Sequence, residues 1–193
     1  MREGNLFISF FGPSCAGKTT SYKYAADFLM DRGFEVLRMD VAYPLRCIQS
    51  YAYELFGMDH PGDPAEPETF KQDGALLGFL ARHFESSFEH SIRHFLASIG
   101  MQSGKLCVVN TDCRSNAYEA LRGNGFVFIR VKARSDIIAG RKLMRGDLTP
   151  FKNLNVEAVD AIEASYEIDN NGTLDDLNEQ IVRVLSEIIY VSN

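Results

Sequence analysis

The sequence predicts an α/β fold, with a mostly parallel sheet of about five strands covered by helices on both faces. Short, nearly unbroken apolar runs alternate with segments whose apolar residues recur at helical spacing, a pattern typical of buried parallel strands joined by helices. The first run, Leu6–Phe11, leads into a glycine-containing loop that precedes a helical segment. The chain has 193 residues, which fits one compact domain of this class.

Each predicted element follows from a local pattern of residue types. The strands are apolar runs that end at glycine or at a polar residue, whereas the helices carry apolar residues three or four positions apart. The last helix has Thr173 as its N-cap and Asp176 as the capping-box partner. The predicted strands are Leu6–Phe11, Phe34–Met39, 106–110, 126–131 and 166–168, and the predicted helices are 18–32, one from Pro44, one long or two short within 76–95, one around 137–144 and one after Thr173.

One stretch breaks this alternation. Between the second and third strands, residues 43–100 hold a helix that starts at Pro44, a proline-rich loop and a further helical pattern. We therefore expect one domain over residues 1–193, with a helical insert at about 43–100. The apolar residues expected on one face of the Pro44 helix are Leu45, Ile48, Tyr51, Ala52 and Leu55.

The composition is that of an acidic globular protein, with a formal net charge of −6. This balance argues against a dedicated nucleic-acid binder, which usually shows a basic excess, although it leaves room for a local basic cleft. The four cysteines form no CxxC pair, which favours free thiols in a reducing cytosol. The N-terminal apolar run is too short for a signal peptide or a membrane span, so we expect a cytoplasmic protein without a membrane partner.

Residues 12–19 read Gly-Pro-Ser-Cys-Ala-Gly-Lys-Thr and fit the pattern GxxxxGK(S/T), between a predicted strand and a predicted helix. Such a loop wraps a phosphate with its backbone N–H groups, and glycines permit the close approach. Lys18 should contact the β- and γ-phosphates, and Thr19 should bind Mg²⁺. The predicted nucleotide-binding residues are Gly12, Ser14, Cys15, Ala16, Gly17, Lys18, Thr19 and Thr20, with ATP and Mg²⁺ as cofactors.

Other sequence features separate the classes of protein that carry this loop. A regulatory GTPase should show DxxG after an early strand and NKxD after a later one. The only DxxG is at 169–172, beside the last strand, and NKxD is absent. An ABC-type ATPase would need its signature segment and a longer chain. These exclusions favour a small-molecule kinase.

Three further segments follow the loop in order. Residues 40–46 read Asp-Val-Ala-Tyr-Pro-Leu-Arg, residues 110–114 read Asn-Thr-Asp-Cys-Arg, and residues 168–177 contain Asn-x-Gly before a leucine. With the loop, they make the chain resemble the nucleotide-kinase group that contains bacteriophage-type deoxynucleoside monophosphate kinases and dephospho-CoA kinases. The resemblance implies a P-loop NTPase fold with three α/β/α layers, an acceptor-binding insert and a lid at about 136–155.

The resemblance also implies the reaction. ATP would transfer its γ-phosphoryl group to a small nucleotide-like acceptor, in the first place a (deoxy)nucleoside monophosphate. The lid would supply cations from the basic cluster of Arg141, Lys142 and Arg145, of which Arg141 is the best placed. We expect Lys18, Asp40 and Arg141 to be the catalytic residues.

Asp40 follows the second strand, at the edge of the sheet where α/β proteins bind their ligands. For a hydroxyl acceptor, its carboxylate would accept or orient the proton. For a phosphate acceptor no base is needed, and Asp40 would bind a sugar hydroxyl or Mg²⁺. A third interpretation is that Asp40 caps the helix that starts at Pro44.

The remaining candidates surround the acceptor and the metal. Asp112 would hold Mg²⁺ through water, as an acid after a buried strand does in related loops, and Arg114 would reach a phosphate. Arg46 and Arg93 are candidate ligands of the acceptor.

Two alternatives remain open at this point. The acceptor could be a hydroxyl of a nucleoside, a coenzyme precursor or a modified base in DNA. From another class, the protein could be a regulatory module that binds ATP without phosphorylating anything. A monomer and a homodimer are both compatible with the sequence.

Overall fold

The described residues form a sheet of five parallel β-strands. The structure is a computed structural model that describes residues 5–99, 105–145, 159 and 162–192. The strands are β1 (Leu6–Phe11), β2 (Phe34–Met39), β3 (Lys105–Asn110), β4 (Val127–Lys132) and β5 (Tyr166–Asp169). They lie side by side in the order β2-β3-β1-β4-β5, and every pairing is parallel. The predicted parallel sheet is confirmed.

Seven α-helices among the described residues connect and cover the strands. They are α1 (Lys18–Met30), α2 (Tyr43–Leu55), α3 (Gly74–His83), α4 (Phe88–Ser98), α5 (Ser115–Gly123), α6 (Ser135–Arg145) and α7 (Leu174–Ser192). The pattern between 76 and 95 therefore forms two short helices. Thr173 and Asp176 form the predicted capping box before α7, with reciprocal bonds of 2.8 and 3.1 Å. Over the described ranges, none of these helices is long and apolar enough to cross a bilayer.

Two hydrophobic clusters hold helices against opposite faces of the sheet. Successive residues of a strand point to opposite faces, so Ile8 and Phe10 pack with α1 and α7, whereas Phe11 packs with the insert helices and α5. All three side chains are fully buried. Burying a side chain of this size stabilises the fold by about 1.5–3 kcal/mol. The result is a three-layer α/β/α arrangement.

Strand β1 lies at the centre of the sheet. The chain places β2 and β3 on one side of it and β4 and β5 on the other. The loop that leaves β1 thus emerges where the strand order reverses, at the carboxyl edge. This is the position at which open α/β sheets bind ligands.

The buried face of α2 differs from the expected one. Tyr51 and Leu55 are exposed, whereas Gln49 and Tyr53 are buried. The reason is that these polar groups anchor the segment before α3. The side-chain amide oxygen of Gln49 accepts the Asp73 backbone N–H at 3.1 Å, and the Tyr53 hydroxyl donates to the Asp73 carboxylate at 2.9 Å. The buried residues of α2 are Leu45, Arg46, Gln49 and Tyr53.

Candidate active site

The loop between β1 and α1 has a backbone that requires glycine at two positions. Gly12 has φ +143°, and a Cβ there would lie 2.3 Å from the Val131 carbonyl oxygen of β4. Gly17 has φ +110°, and a Cβ there would lie 2.0 Å from the Asn170 side-chain nitrogen. Cys15 also has a positive φ, of 67°. The loop therefore bends tightly at the start of α1, whose positive end favours anions.

Lys18 folds back over this loop. Its Nζ donates to the carbonyl oxygens of Gly12 at 3.0 Å and Pro13 at 2.8 Å. Burial, followed by the positive charge of Arg114, lowers the pKa of Lys18 to about 7, and the Asp112 carboxylate opposes this shift. The loop thus holds an amino group whose cationic form a bound polyanion would stabilise.

We expect binding of Mg-ATP to take up protons near neutral pH. The negative charge of a triphosphate favours the ammonium form of Lys18 and so raises its pKa above the value of about 7 in the free protein. Near and above this pH the complex therefore holds more protons than the free protein and free ATP together. Because of this difference, ATP affinity falls as pH rises. Uptake should be about half a proton at about pH 7 and nearly one at about pH 8. Calorimetry in buffers of different ionisation enthalpy measures this uptake, and its persistence in Lys18→Met would contradict the assignment.

Two arginines of α6 contact the same loop. The Arg141 Nη1 donates to the carbonyl oxygens of Cys15 and Ala16, each at 3.3 Å, and the Arg145 Nη1 lies 3.2 Å from the Ser14 hydroxyl. Their neighbour in the basic cluster, Lys142, is exposed. The structure therefore brings two of the three cluster cations to the loop. Helix α6 is the described part of the expected lid, and residues 146–155 lie outside the described residues.

Asp112 lies just beyond β3 and holds the turn before α2. Its carboxylate accepts the backbone N–H groups of Val41 at 2.9 Å and Ala42 at 2.8 Å, and the Asn110 amide at 2.8 Å. Burial, followed by the negative charge of Asp40, raises the pKa of Asp112, while the backbone N–H groups oppose the shift. A carboxylate has about four acceptor sites, so a water ligand of a metal still has a place.

The residues at this edge fit a Mg²⁺ ion that is held mainly by phosphate oxygens. The Thr19 hydroxyl lies in the first turn of α1, and Asp112 lies close enough to Lys18 to affect its pKa. Magnesium in such sites takes one or two protein ligands and keeps several waters. Within the described part of the chain, no group of three or more His, Cys, Asp or Glu could hold a metal by itself. Metal binding by Thr19 and Asp112 stays a prediction.

Asp40 lies in a network of charges at the end of β2. Its Oδ2 accepts from Arg46 at 2.9 Å, and its Oδ1 accepts the Thr111 hydroxyl at 3.0 Å and the Arg38 Nε at 3.2 Å. The side chains of Asp40 and Arg46 are only 7% and 4% exposed. Arg46 also donates from Nε to the Pro64 carbonyl at 2.7 Å. Arg46 therefore ties the strand end to the proline-rich loop, and its binding of an acceptor stays a prediction.

The other two predicted arginines occupy different environments. Arg114 precedes α5, donates to the Cys113 carbonyl at 3.2 Å and lies near enough to Lys18 to lower its pKa. Arg93 lies on the surface of α4, where its side chain is 70% exposed and pairs with Glu89. The structure thus brings Arg114 to the loop and leaves Arg93 on a helix surface.

Two side chains that hold this site are not among the predicted site residues. The Asn170 amide donates to the Ala16 carbonyl at 2.7 Å, and the Arg38 Nε donates to the Asp40 carboxylate at 3.2 Å. A signal for Asn170 exists in the sequence, because it closely follows a predicted strand and is the first residue of the Asn-x-Gly segment that carries part of the resemblance. Its partner lies 154 residues away, so no local pattern identifies the contact.

Comparison with known proteins supports the same architecture. Neither a protein-family model nor a curated protein matches the chain. Among solved structures, shikimate kinase from Aquifex aeolicus vf5 is similar with a TM-score of 0.51, at 14% identity over 96% of this chain and 99% of that chain. The chain has the P-loop fold. Shikimate kinase from Acinetobacter baumannii in complex with shikimate gives a TM-score of 0.51, at 18% identity over 96% of each chain. At these identities the similarity shows the P-loop fold alone.

Proposed function

We propose that the protein is an ATP-dependent phosphotransferase that moves the γ-phosphoryl group to a small nucleotide-like acceptor. The observation that carries this proposal is the meeting of Lys18, Arg141 and Arg145 on one phosphate-binding loop. A loop that only bound nucleotide would need fewer cations from a separate helix. We propose a (deoxy)nucleoside monophosphate as the acceptor, and action in the cytoplasm as a monomer or a homodimer.

The residues of the site would take different roles in phosphoryl transfer. Lys18 and the loop N–H groups would bind the β- and γ-phosphates, and Arg141 would stabilise the charge that develops on the transferred group. Mg²⁺, held by Thr19 and through water by Asp112, would neutralise phosphate oxygens. Arg114 would bind a phosphate of the acceptor. Catalysis of this kind depends on positioning and charge rather than on a nucleophilic side chain.

The surroundings of Asp40 support an acceptor that is already ionised. A general base must present an oxygen to the acceptor proton, yet the Asp40 side chain is only 7% exposed, and Arg46, Arg38 and Thr111 take three of its about four acceptor sites. A phosphate acceptor needs no base near neutral pH. The arrangement therefore favours a monophosphate over a hydroxyl, with Asp40 acting as a buried counter-ion.

Replacing Asp40 with asparagine distinguishes the two kinds of acceptor. We expect the free energy of unfolding to fall by about 3 kcal/mol, because the buried Arg46 loses its anion. We expect kcat of the folded protein to fall by less than about tenfold, since no proton is abstracted. Urea unfolding and steady-state kinetics measure the two effects, with the exposed Asp31→Asn as the control. A loss in kcat of about a thousandfold or more at unchanged stability would instead indicate a base and a hydroxyl acceptor.

An acceptor panel tests the proposed reaction. The purified protein would receive Mg-ATP with nucleoside monophosphates, deoxynucleoside monophosphates, nucleosides and dephospho-CoA, and ADP release would be followed. Shikimate belongs in the panel because similar structures include shikimate kinases. Release stimulated by a monophosphate supports the proposal. Stimulation by a hydroxyl compound alone overturns the acceptor, and ATP binding without stimulated release favours the regulatory module.

A further inference from the structure

Asn170 is buried and hydrogen-bonded directly after β5. It is 3% exposed, and its backbone N–H donates to the Lys132 carbonyl of β4 at 2.7 Å, which extends the strand pairing by one residue. Its side-chain nitrogen donates to the carbonyl oxygen of Ala16 at 2.7 Å. A buried side-chain amide therefore connects the end of the edge strand β5 to the phosphate-binding loop.

The contact depends on the glycine that follows Ala16. A Cβ at position 17 would lie 2.0 Å from the Asn170 nitrogen and 3.2 Å from its Cγ. Only glycine lets the amide approach the loop backbone this closely. Gly17 and Asn170 are thus complementary in shape, although 153 positions separate them.

We infer that Asn170 is a positioning residue that orients the peptide between Ala16 and Gly17 for phosphate binding. In a planar trans peptide the C=O and the N–H point in opposite directions. Because Asn170 holds the Ala16 carbonyl on its own side, the Gly17 N–H points away from Asn170. Loops of this type bind phosphate through such N–H groups.

A second donor to the same carbonyl is weaker. Arg141 reaches the Ala16 oxygen at 3.3 Å, and it shares that nitrogen with the Cys15 oxygen. The 2.7 Å bond from Asn170 is shorter and comes from a side chain whose own backbone is fixed by the sheet. Without it, only the longer Arg141 contact holds this carbonyl, so the Gly17 N–H is less firmly oriented toward the phosphate site.

The inference rests on the proposed binding of ATP at this loop, and two ligands test it. Mg-ATP contacts the loop through its phosphates and the protein through its base, whereas inorganic triphosphate has phosphates alone. We expect Asn170→Ala to weaken binding of both ligands by about the same factor, tenfold or more. Asn170→Asp keeps the side-chain volume but turns an oxygen toward the Ala16 carbonyl, so it should weaken both ligands further. Calorimetric titration measures the affinities, and thermal unfolding checks that each variant is folded.

Asn171→Ala is the matched control. The neighbouring amide accepts the Arg134 backbone N–H at 2.6 Å, so both affinities should stay within about twofold of the unaltered protein. A folded Asn170→Asp protein with unchanged affinities overturns the inference. A loss for ATP with none for triphosphate also overturns it, because Asn170 would then contact the base. Failure of the unaltered protein to bind either ligand overturns the proposed function as well.

Discussion

Replacing Lys18 with methionine is expected to lower kcat/KM for ATP-dependent phosphoryl transfer by at least about a thousandfold. Methionine keeps an unbranched apolar stem but removes the ammonium group that the carbonyl oxygens of Gly12 and Pro13 hold over the loop. The interaction lost is one with charge that develops on the phosphates, in a site where burial strengthens electrostatics. The fold itself should persist, since burial already disfavours the charged form of Lys18.

The measurement is ADP release with the acceptor that the panel identifies, alongside the unfolding midpoint of each variant. Lys23→Met is the control, because Lys23 lies on the same helix with its side chain 63% exposed and pairs with Glu68. It should keep kcat/KM within about twofold. Equal activities of the two variants would remove Lys18 from the catalytic residues.

Replacing Arg141 with alanine is expected to lower kcat by about a hundredfold or more while ATP affinity changes much less. In the free protein, the guanidinium contacts the carbonyl oxygens of Cys15 and Ala16, at the edge of the predicted phosphate site. An arginine in this position can stabilise charge that exists only in the transition state, and such an interaction appears in kcat rather than in binding.

Steady-state kinetics and calorimetry on the same preparation separate these two effects. Arg122→Ala serves as the control, since Arg122 is exposed on α5 and pairs with Glu119 at 3.6 Å. If Arg141→Ala leaves kcat intact, the arginine has no role in transfer. If it also leaves nucleotide-dependent binding of a partner intact, the regulatory module becomes the better account.

The sequence predicts the sheet and the loop because both depend on local patterns. The run Leu6–Phe11 is apolar throughout, since β1 is covered on both faces, and its observed bounds are those predicted. The loop pattern contains Gly12 and Gly17, the two positions where a Cβ would collide with its surroundings. Local composition therefore carries the information that these parts of the fold require.

The insert was harder to predict because distant partners decide which face of α2 is buried. Helical spacing identifies Tyr51 and Leu55 as neighbours on one face, and apolarity suggests that this face packs inward. The structure buries Gln49 instead, because its side chain meets the segment before α3, and it buries Arg46 beside Asp40. Periodicity shows which residues share a face, but it does not show what the rest of the chain offers to that face.

The central position of β1 has a consequence for the synthesis of the protein. Ser9 of β1 bonds to Asn110 of β3 across 101 positions of sequence, and β4 comes later still. At roughly 5–20 residues per second, the ribosome leaves this Phe-rich strand without either neighbour for about 5–20 s. Pairings between such distant segments also slow folding, because a long loop must close before any contact forms. The nascent chain therefore exposes this apolar segment throughout that interval, and a chaperone that binds apolar segments would protect the chain here.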